Sequence, residues 1–341
     1  MSNLLDVTHF ALAKTFWLSS LSFIVAILWT PLFTDFLYKN RLGKKIRQTG
    51  FDEKKAPIFY SLHKHKENTP TMGGLLIWIT VAVITLLMNL SRAQTWLPLF
   101  VLVSTGLVGA ADDLMNIYGV GPNRGGLKFR WKLLLYAVIA LIGAWWFYSK
   151  LGFNVLSIPG LGVQTIGAWY IPLFVLVVVF TTFSANQTDG LDGLLGGTAA
   201  SCFAAFGIIA LLQGKTELAA FCGTMLGALM AFLWFNIYPA RFFMGDTGAM
   251  ALGITIAVLA FLTDTVIILP LIAFILYAEG ITTILQILSK KLRHGKKIFL
   301  SAPVHHHLEA LGWPEPKITM RFWVISFVAS LLGLFVYVIG R

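Results

Sequence analysis

The feature that decides most about this chain is a succession of apolar runs, each about as long as a bilayer's hydrocarbon core is thick. A spanning helix needs roughly 20 mostly apolar residues. Such windows fall near residues 15–36, 71–90, 96–111, 131–149, 169–184, 194–213, 218–236, 247–263, 266–289 and 321–340. Hydrophobic residues make up 57% of the 341 and charged residues only 12%, too few to solvate a water-soluble fold of this size. The expected architecture is therefore all-α: a polytopic integral membrane protein of about ten transmembrane helices. It is read as one membrane-embedded domain over 1–341, with no soluble domain and no internal repeat.

Basic residues set the orientation. Of the 26 Lys and Arg, 21 follow the odd-numbered spans, nine of them between 38 and 70, and five lie on the other side (Lys14, Arg92, Lys150, Lys215, Arg341). Such a bias puts the long loops in the cytoplasm and both termini on the outer side. The positive flank follows the first apolar run instead of preceding it, so that run is not read as a cleaved signal peptide. Cys202 and Cys222 fall inside expected helices and read as small apolar side chains, not as a disulfide or thiolate site. The positive charge suits lipid headgroups, and no nucleic-acid partner is expected.

Polar residues gather where the spans end. The first cytoplasmic loop, Leu37 to Thr71, leads into Met72-Gly73-Gly74, and most of its Lys and Arg suit membrane lipids and topology. Lys66 stands apart, because Pro70 suits a first helical turn and a cation beside a new helix N-terminus makes a phosphate site. The third span ends GLVGAADDLMNIYGVG. Its adjacent Asp112 and Asp113 are costly at membrane depth unless paired, hydrated or cation-bound, which makes them functional candidates. The structural alternative is Asp113 capping or pairing with Arg130 or Lys132. Gly119, Gly121, Pro122, Gly125 and Gly126 read as a flexible turn before Lys128, Arg130 and Lys132, which suit snorkelling first and substrate second. Leu151 to Ala168, on the outer side, is expected to form a short hairpin or lie at the interface, without chemistry.

After the fifth span comes SANQTDGLDG, in which Asn186, Asp189 and Asp192 recur every third residue and would share one face of a helical turn. No basic residue lies between Lys150 and Lys215, so a cation must come from another loop or from a metal. NIYPARFFMGDTGAM places Asp246 just ahead of an apolar helix, as an N-cap or as a member of the shared site. Glu279-Gly280 interrupts the ninth span and suggests a kink or a polar groove. The last cytoplasmic loop carries His305, His306 and His307, of which at most two can share a site. Such a tract invites zinc, but oxygen-only acids without thiolates select a hard cation, magnesium. Since Mg2+ usually takes one or two protein carboxylates, the five loop acids Asp112, Asp113, Asp189, Asp192 and Asp246 cannot all be ligands. Metal, carboxylates and a diphosphate together point to phosphoryl transfer, and the membrane to a lipid reactant.

TPTMGG (69–74), ADD (111–113), NQTDGLDGL (186–194), FFMGDTGAMALG (242–253) and PVHHHLEALGWPEP (303–316) occur in this order. In these motifs the chain resembles the phospho-N-acetylmuramoyl-pentapeptide transferases, within the polyprenyl-phosphate N-acetylhexosamine 1-phosphate transferases. The resemblance implies transfer of phospho-MurNAc-pentapeptide from UDP-MurNAc-pentapeptide to undecaprenyl phosphate, releasing UMP and forming lipid I of peptidoglycan in the bacterial cytoplasmic membrane. A homodimer is implied as well. By matching motif, Asp246 resembles the Mg2+ ligand and Asp112 and Asp113 the essential acidic pair, with Asp112 the candidate to deprotonate or position the lipid phosphate. Asn186, Asp189 and Asp192 match the uridine side, Lys66 and Thr71 the phosphate side, and His305 and His306 the essential histidines, with His307 and Glu279 counted as substrate-binding. Many members have Lys where this chain has Asn116, and Leu300-Ser301 replaces a more usual Arg-Met. Lys128 or Lys132 is expected to supply the missing phosphate contact, and Lys132 is counted with the substrate-binding residues.

Direct attack of the lipid phosphate is preferred to a phospho-enzyme route, because a deprotonated phosphomonoester is already a competent nucleophile. A sister enzyme using a simpler UDP-N-acetylhexosamine is the nearest rival, and the His-His-His-Leu-Glu form favours the muramoyl branch. A transporter would instead place its acids near the bilayer midplane.

Overall fold

In the computed structural model, which describes residues 2–43, 66, 68–120 and 126–340, the chain is mostly helical. The helices are α1 (Ser2–Lys39), α2 (Gly74–Met88), α3 (Trp96–Ile117), α4 (Phe129–Ser149), α5 (Tyr170–Thr188) and α6 (Leu194–Leu212). They continue with α7 (Thr216–Asn236), α8 (Asp246–Leu262), α9 (Leu269–Ile272), α10 (Phe274–Leu292), α11 (Val304–Ala310) and α12 (Glu315–Ile339). Seven helices among the described residues are long and apolar enough to cross a membrane: α1, α3, α4, α5 with the 3-10 turn before it, α6, α7 and α12. The second and eighth expected spans fall on α2 and α8, which are apolar but only 15 and 17 residues long. The ninth is divided between α9 and α10.

The short α8 is the axis of the bundle. Every residue from Thr247 to Phe261 is buried, so its apolar surface meets other helices and not lipid. Helices α3, α5 and α2 pack on it, α4 and α10 pack on α5, α1 and α6 pack on α7, and α12 packs on α6 and α9. The approach of α3 is unusually close: a Cβ added to Gly109 would sit 2.6 Å from the Thr247 Cα. Thr247 closes this seam by donating to the Gly106 carbonyl at 2.8 Å and accepting from Trp78 Nε1 at 3.1 Å. One turn beyond Gly109, α3 therefore delivers Asp112 and Asp113 to the start of α8.

One expectation about local structure is corrected. Pro70 does not open a helix: it forms an isolated antiparallel bridge with Gly43, and α2 begins only at Gly74. The ninth span is divided at Ala273 (φ −102, ψ 37), and α10 continues through Glu279-Gly280. Gly280 serves packing, because an added Cβ would collide with the Ser184 hydroxyl of α5. The segment after α4 forms a hairpin, β1 (Val155–Ile158) antiparallel to β2 (Gly162–Thr165), with Val155 opposite Thr165. Asp264 ties it to the bundle by accepting from the Ser157 backbone N–H at 3.2 Å and from the Ser157 hydroxyl. Both cysteines are buried and unbridged. The basic residues Lys44, Lys45, Arg47, Lys54, Lys55 and Lys64, and Gly121, Pro122 and Gly125 of the turn, lie outside the described residues.

Candidate active site

Helix ends build the first charged cluster. Asp112, fully buried near the end of α3, accepts from the Leu127 backbone N–H at 2.7 Å and pairs with Lys132 Nζ at 2.6 Å. The same ammonium pairs with Asp246 Oδ2, and the Asn186 side-chain amide donates to Asp246 Oδ1. Residues from α3, α4, α5 and α8 thus share one centre, in which the Lys132 ammonium sits between two carboxylates. Asp113 turns the other way: its oxygens accept from the backbone N–H groups of Asp246 (3.2 Å) and Thr247 (3.0 Å). It caps α8 from a neighbouring helix, placing a negative charge where the helix dipole favours one. Capping is thus one role of Asp113, and the helix it caps is α8. Asp246 is the first residue of α8 and not its N-cap, a position held by Gly245 at φ 76. The buried Thr71 hydroxyl lies against this turn, where a Cβ on Gly245 would sit 2.7 Å from it.

A second cluster surrounds Lys66. Its ammonium pairs with Asp192 at 2.7 Å and Glu315 at 2.5 Å, and sits 5.8 Å from the ring centres of both Tyr238 and Phe243. Glu315 also accepts from the Asp192 backbone N–H at 2.7 Å, while the second Asp192 oxygen accepts from Ala240 N–H at 3.0 Å. Lys66 is therefore held by two acids, one of them the first residue of α12.

The three polar residues after the fifth span do not share a helix face. Helix α5 ends at Thr188, Asp189 follows as its C-cap with ψ 51, and Gly193 reverses the chain in the left-handed region at φ 76. Asn186 consequently joins the Asp246 cluster, Asp192 joins Lys66, and Asp189 is half-buried.

The histidines diverge. His305 Nδ1 lies 2.9 Å from Glu279 Oε2, both side chains fully buried, and His306 Nδ1 lies 2.6 Å from Glu309 Oε2. The two rings are 4.0 Å apart, and His307 Nδ1 accepts from the Leu300 backbone N–H at 3.2 Å. Burial first, and the neighbouring His305 second, push the His306 pKa down to about 4, so this ring is neutral at neutral pH. His305 abuts Gly190, where any Cβ would strike its Nε2. Among the described residues no three His, Cys, Asp or Glu side chains converge as a ready metal cage.

Sequence reasoning missed two acids. Glu315 lies in the first turn of α12 between two prolines, where an acid reads as a helix-dipole partner. Glu309 stands three residues after His306 on α11, a spacing that offered the pairing.

The model of glycosyl transferase family 4 matches residues 95–264, which span Asp112 to Asp246. The phospho-N-acetylmuramoyl-pentapeptide-transferase signature 1 matches residues 66–77, from Lys66 through Thr71. A phospho-N-acetylmuramoyl-pentapeptide-transferase of Chloroflexus aggregans is 37% identical over 95% of this chain and 89% of its own length. The protein of the same name from Geobacillus sp. strain WCH70 is 38% identical over 93% and 96%, and that from Anoxybacillus flavithermus 37% over 94% and 97%. With identity at this level across nearly the whole length, the chain belongs to the phospho-N-acetylmuramoyl-pentapeptide-transferase family.

Proposed function

We propose that this chain transfers phospho-MurNAc-pentapeptide from UDP-MurNAc-pentapeptide to undecaprenyl phosphate, releasing UMP and forming lipid I, in a bacterial cytoplasmic membrane with its site toward the cytoplasm. Ten membrane-embedded segments, with α2, α8 and the divided α9–α10 counted among them, and both termini outside agree with the distribution of Lys and Arg. A homodimer is the proposed assembly. The observation that carries the reading is the convergence of Asp112, Lys132 and Asp246 from three helices on one charged centre. It lies at helix ends, where a soluble nucleotide and a lipid headgroup can meet, and not at mid-helix as an ion path requires.

Magnesium fits these residues. The donors are oxygens, and the position between the Asp112 and Asp246 carboxylates already attracts a cation, the Lys132 ammonium. Asp246 is the proposed ligand, and the bound ion would neutralise charge on the diphosphate. Asp112, fixed by the Leu127 N–H, takes the proton from the lipid phosphate or holds that phosphate in line. A lipid phosphate oxygen then attacks the sugar-linked β-phosphorus, and the bond from that phosphorus to the UMP oxygen breaks, with its electron pair leaving on UMP. Lys132 offsets the charge as it moves, and the neutral His306 adds none.

UMP release by the purified protein in detergent, with undecaprenyl phosphate and Mg2+, tests the reading. Turnover of UDP-MurNAc-pentapeptide, lost in Asp246→Asn, is expected. Turnover of UDP-GlcNAc in its place would transfer the chain to the sister branch.

A further inference from the structure

Helix α10 is amphipathic in the sense that suits lipid. Glu279, Thr283, Gln286 and Ser289 are buried, while Ile281, Ile284, Leu285 and Leu288 are exposed. At the end of this apolar face the chain turns back through KKLRHGKKIFL (290–300). This return carries Lys290, Lys291, Arg293, Lys296 and Lys297, and no acid occurs anywhere between Glu279 and Glu309. Except for the half-buried Lys290, these cations are exposed, and the apolar Leu292, Ile298 and Leu300 beside them are exposed as well.

The return is a folded hairpin and not a loose basic tail. The buried Gln286 side chain accepts from the Ile298 and Phe299 N–H groups at 3.0 and 3.1 Å and donates to the Phe299 carbonyl at 2.8 Å. Ser289 donates to the Lys296 carbonyl at 2.9 Å, and Gly295, at φ 89, closes the turn by donating to the Lys290 carbonyl at 2.8 Å. Its far end touches the histidine helix: Leu300 N–H donates to His307, and the Phe299 ring packs 5.5 Å from the His307 ring.

We propose that this hairpin is a docking surface for anionic phospholipid headgroups of the surrounding bilayer, and that headgroups bound there steady α11 and the histidines it carries. The charge is complementary, the exposed apolar residues match the boundary between headgroups and acyl chains, and the lipid-facing side of α10 leads directly into the cluster. The link to activity runs through the backbone held by Gln286 and His307. It rests on the transferase reading, whereas the lipid contact does not.

The test places the full chain in nanodiscs of phosphatidylcholine, with or without a minor share of phosphatidylglycerol. Wild type is compared with a variant in which Lys290, Lys291, Arg293, Lys296 and Lys297 are all changed to Gln, and with Gln286→Leu, which keeps every charge and unpins the hairpin. Association of spin-labelled phosphatidylglycerol, relative to spin-labelled phosphatidylcholine, reads the contact without any turnover, and UMP release reads the coupling. The expected result is selective phosphatidylglycerol association in wild type and Gln286→Leu, lost in the five-fold variant. UMP release should rise roughly two- to ten-fold with phosphatidylglycerol in wild type only, while all three proteins behave alike in phosphatidylcholine. Equal phosphatidylglycerol selectivity in wild type and the five-fold variant would overturn the surface. A raised KM for the nucleotide substrate in both lipids would overturn it too, by assigning the cations to substrate, and an undiminished response in Gln286→Leu would overturn the coupling. Failure of the transferase reading would remove UMP release from every sample and leave the lipid association intact.

Discussion

Glu279 and His305 meet through Oε2 and Nδ1 at 2.9 Å, inside the protein, with neither side chain reaching solvent. The contact joins the middle of α10 to the start of α11 and fixes which His305 nitrogen faces inward, so that Nε2 is turned to Gly190 at the Asp189 loop. The contact leads to the prediction that Glu279 acts through the histidine. Glu279→Gln keeps the shape but accepts either ring tautomer, and it should lower kcat about tenfold with little change in KM. Glu279→Ala leaves the buried ring nitrogen without its partner and should also lower stability by ~1–3 kcal/mol. Steady-state UMP release and thermal melting of the two variants separate these effects.

Gly190 has room for no side chain, because a Cβ there would run into His305 Nε2, and its φ is not in the left-handed region. Steric exclusion alone therefore decides what Gly190→Ala does. The His305 ring must shift, and a displacement on the order of 1 Å at a reacting site can cost about a hundredfold in rate. The expected outcome is an enzyme at least tenfold slower with near-normal expression and melting. Normal activity in Gly190→Ala would separate His305 from the chemistry.

The two acids of the Asp112-Asp113 pair should fail differently. Asp113 accepts two backbone N–H groups at the start of α8, so Asp113→Ala removes a cap, costing about 1–2 kcal/mol of stability. It also lets Asp246 drift, so activity falls with it. Asp112→Asn keeps its shape and its bond from Leu127 N–H, and leaves Lys132 paired with Asp246. It should lose activity about a hundredfold or more while melting near wild type. Matching melting curves for Asp113→Ala and wild type would count against the capping role.

Which of these contacts were legible in the sequence follows from what each depends on. Long apolar runs announce helices, and acids at their ends announce themselves by their cost, so Asp112, Asp113 and Asp246 were readable. The period-three reading of Asn186, Asp189 and Asp192 failed because a helix face exists only while the helix continues, and α5 stops at Thr188. Glu315 was invisible as the partner of Lys66 because 249 residues separate them, and the bundle alone brings them together. The ninth span shows the same limit: its division at Ala273 and the close approach of Ser184 to Gly280 depend on packing that no local pattern records.

His306 supplies a pH dependence. Its pKa lies near 4 in the folded protein because of burial and the adjacent His305, against about 6.5 when unfolded. Above the unfolded value both states hold the neutral ring and nothing changes. Between about 6.5 and 4 the unfolded chain binds a proton that the folded one excludes, so stability falls as pH falls through this window, by roughly 3 kcal/mol in all. His306→Asn carries no such proton and should lose less stability between those limits. Thermal melting in detergent at a series of pH values reads the difference. Parallel curves for the two proteins would mean that the ring charges as easily folded as unfolded.

Lys66 holds Asp192 and Glu315 together where little water reaches, with side-chain exposures of 8%, 4% and 9% for the three. Removing the ammonium in Lys66→Gln strands two carboxylates facing each other, a loss on the order of 3–5 kcal/mol for a broken buried pair. Adding Glu315→Gln to that variant removes one of the stranded charges and still offers an acceptor to the Asp192 N–H. The double variant should therefore melt higher than Lys66→Gln alone, by about 1–2 kcal/mol, a coupling that additive single effects cannot produce. If Lys66 instead served only a bound nucleotide, its loss would leave the melting temperature unchanged and raise the KM. A cycle of the two single variants and the double, melted without substrate and then assayed, decides whether the Lys66 charge belongs to the resting fold or to the nucleotide.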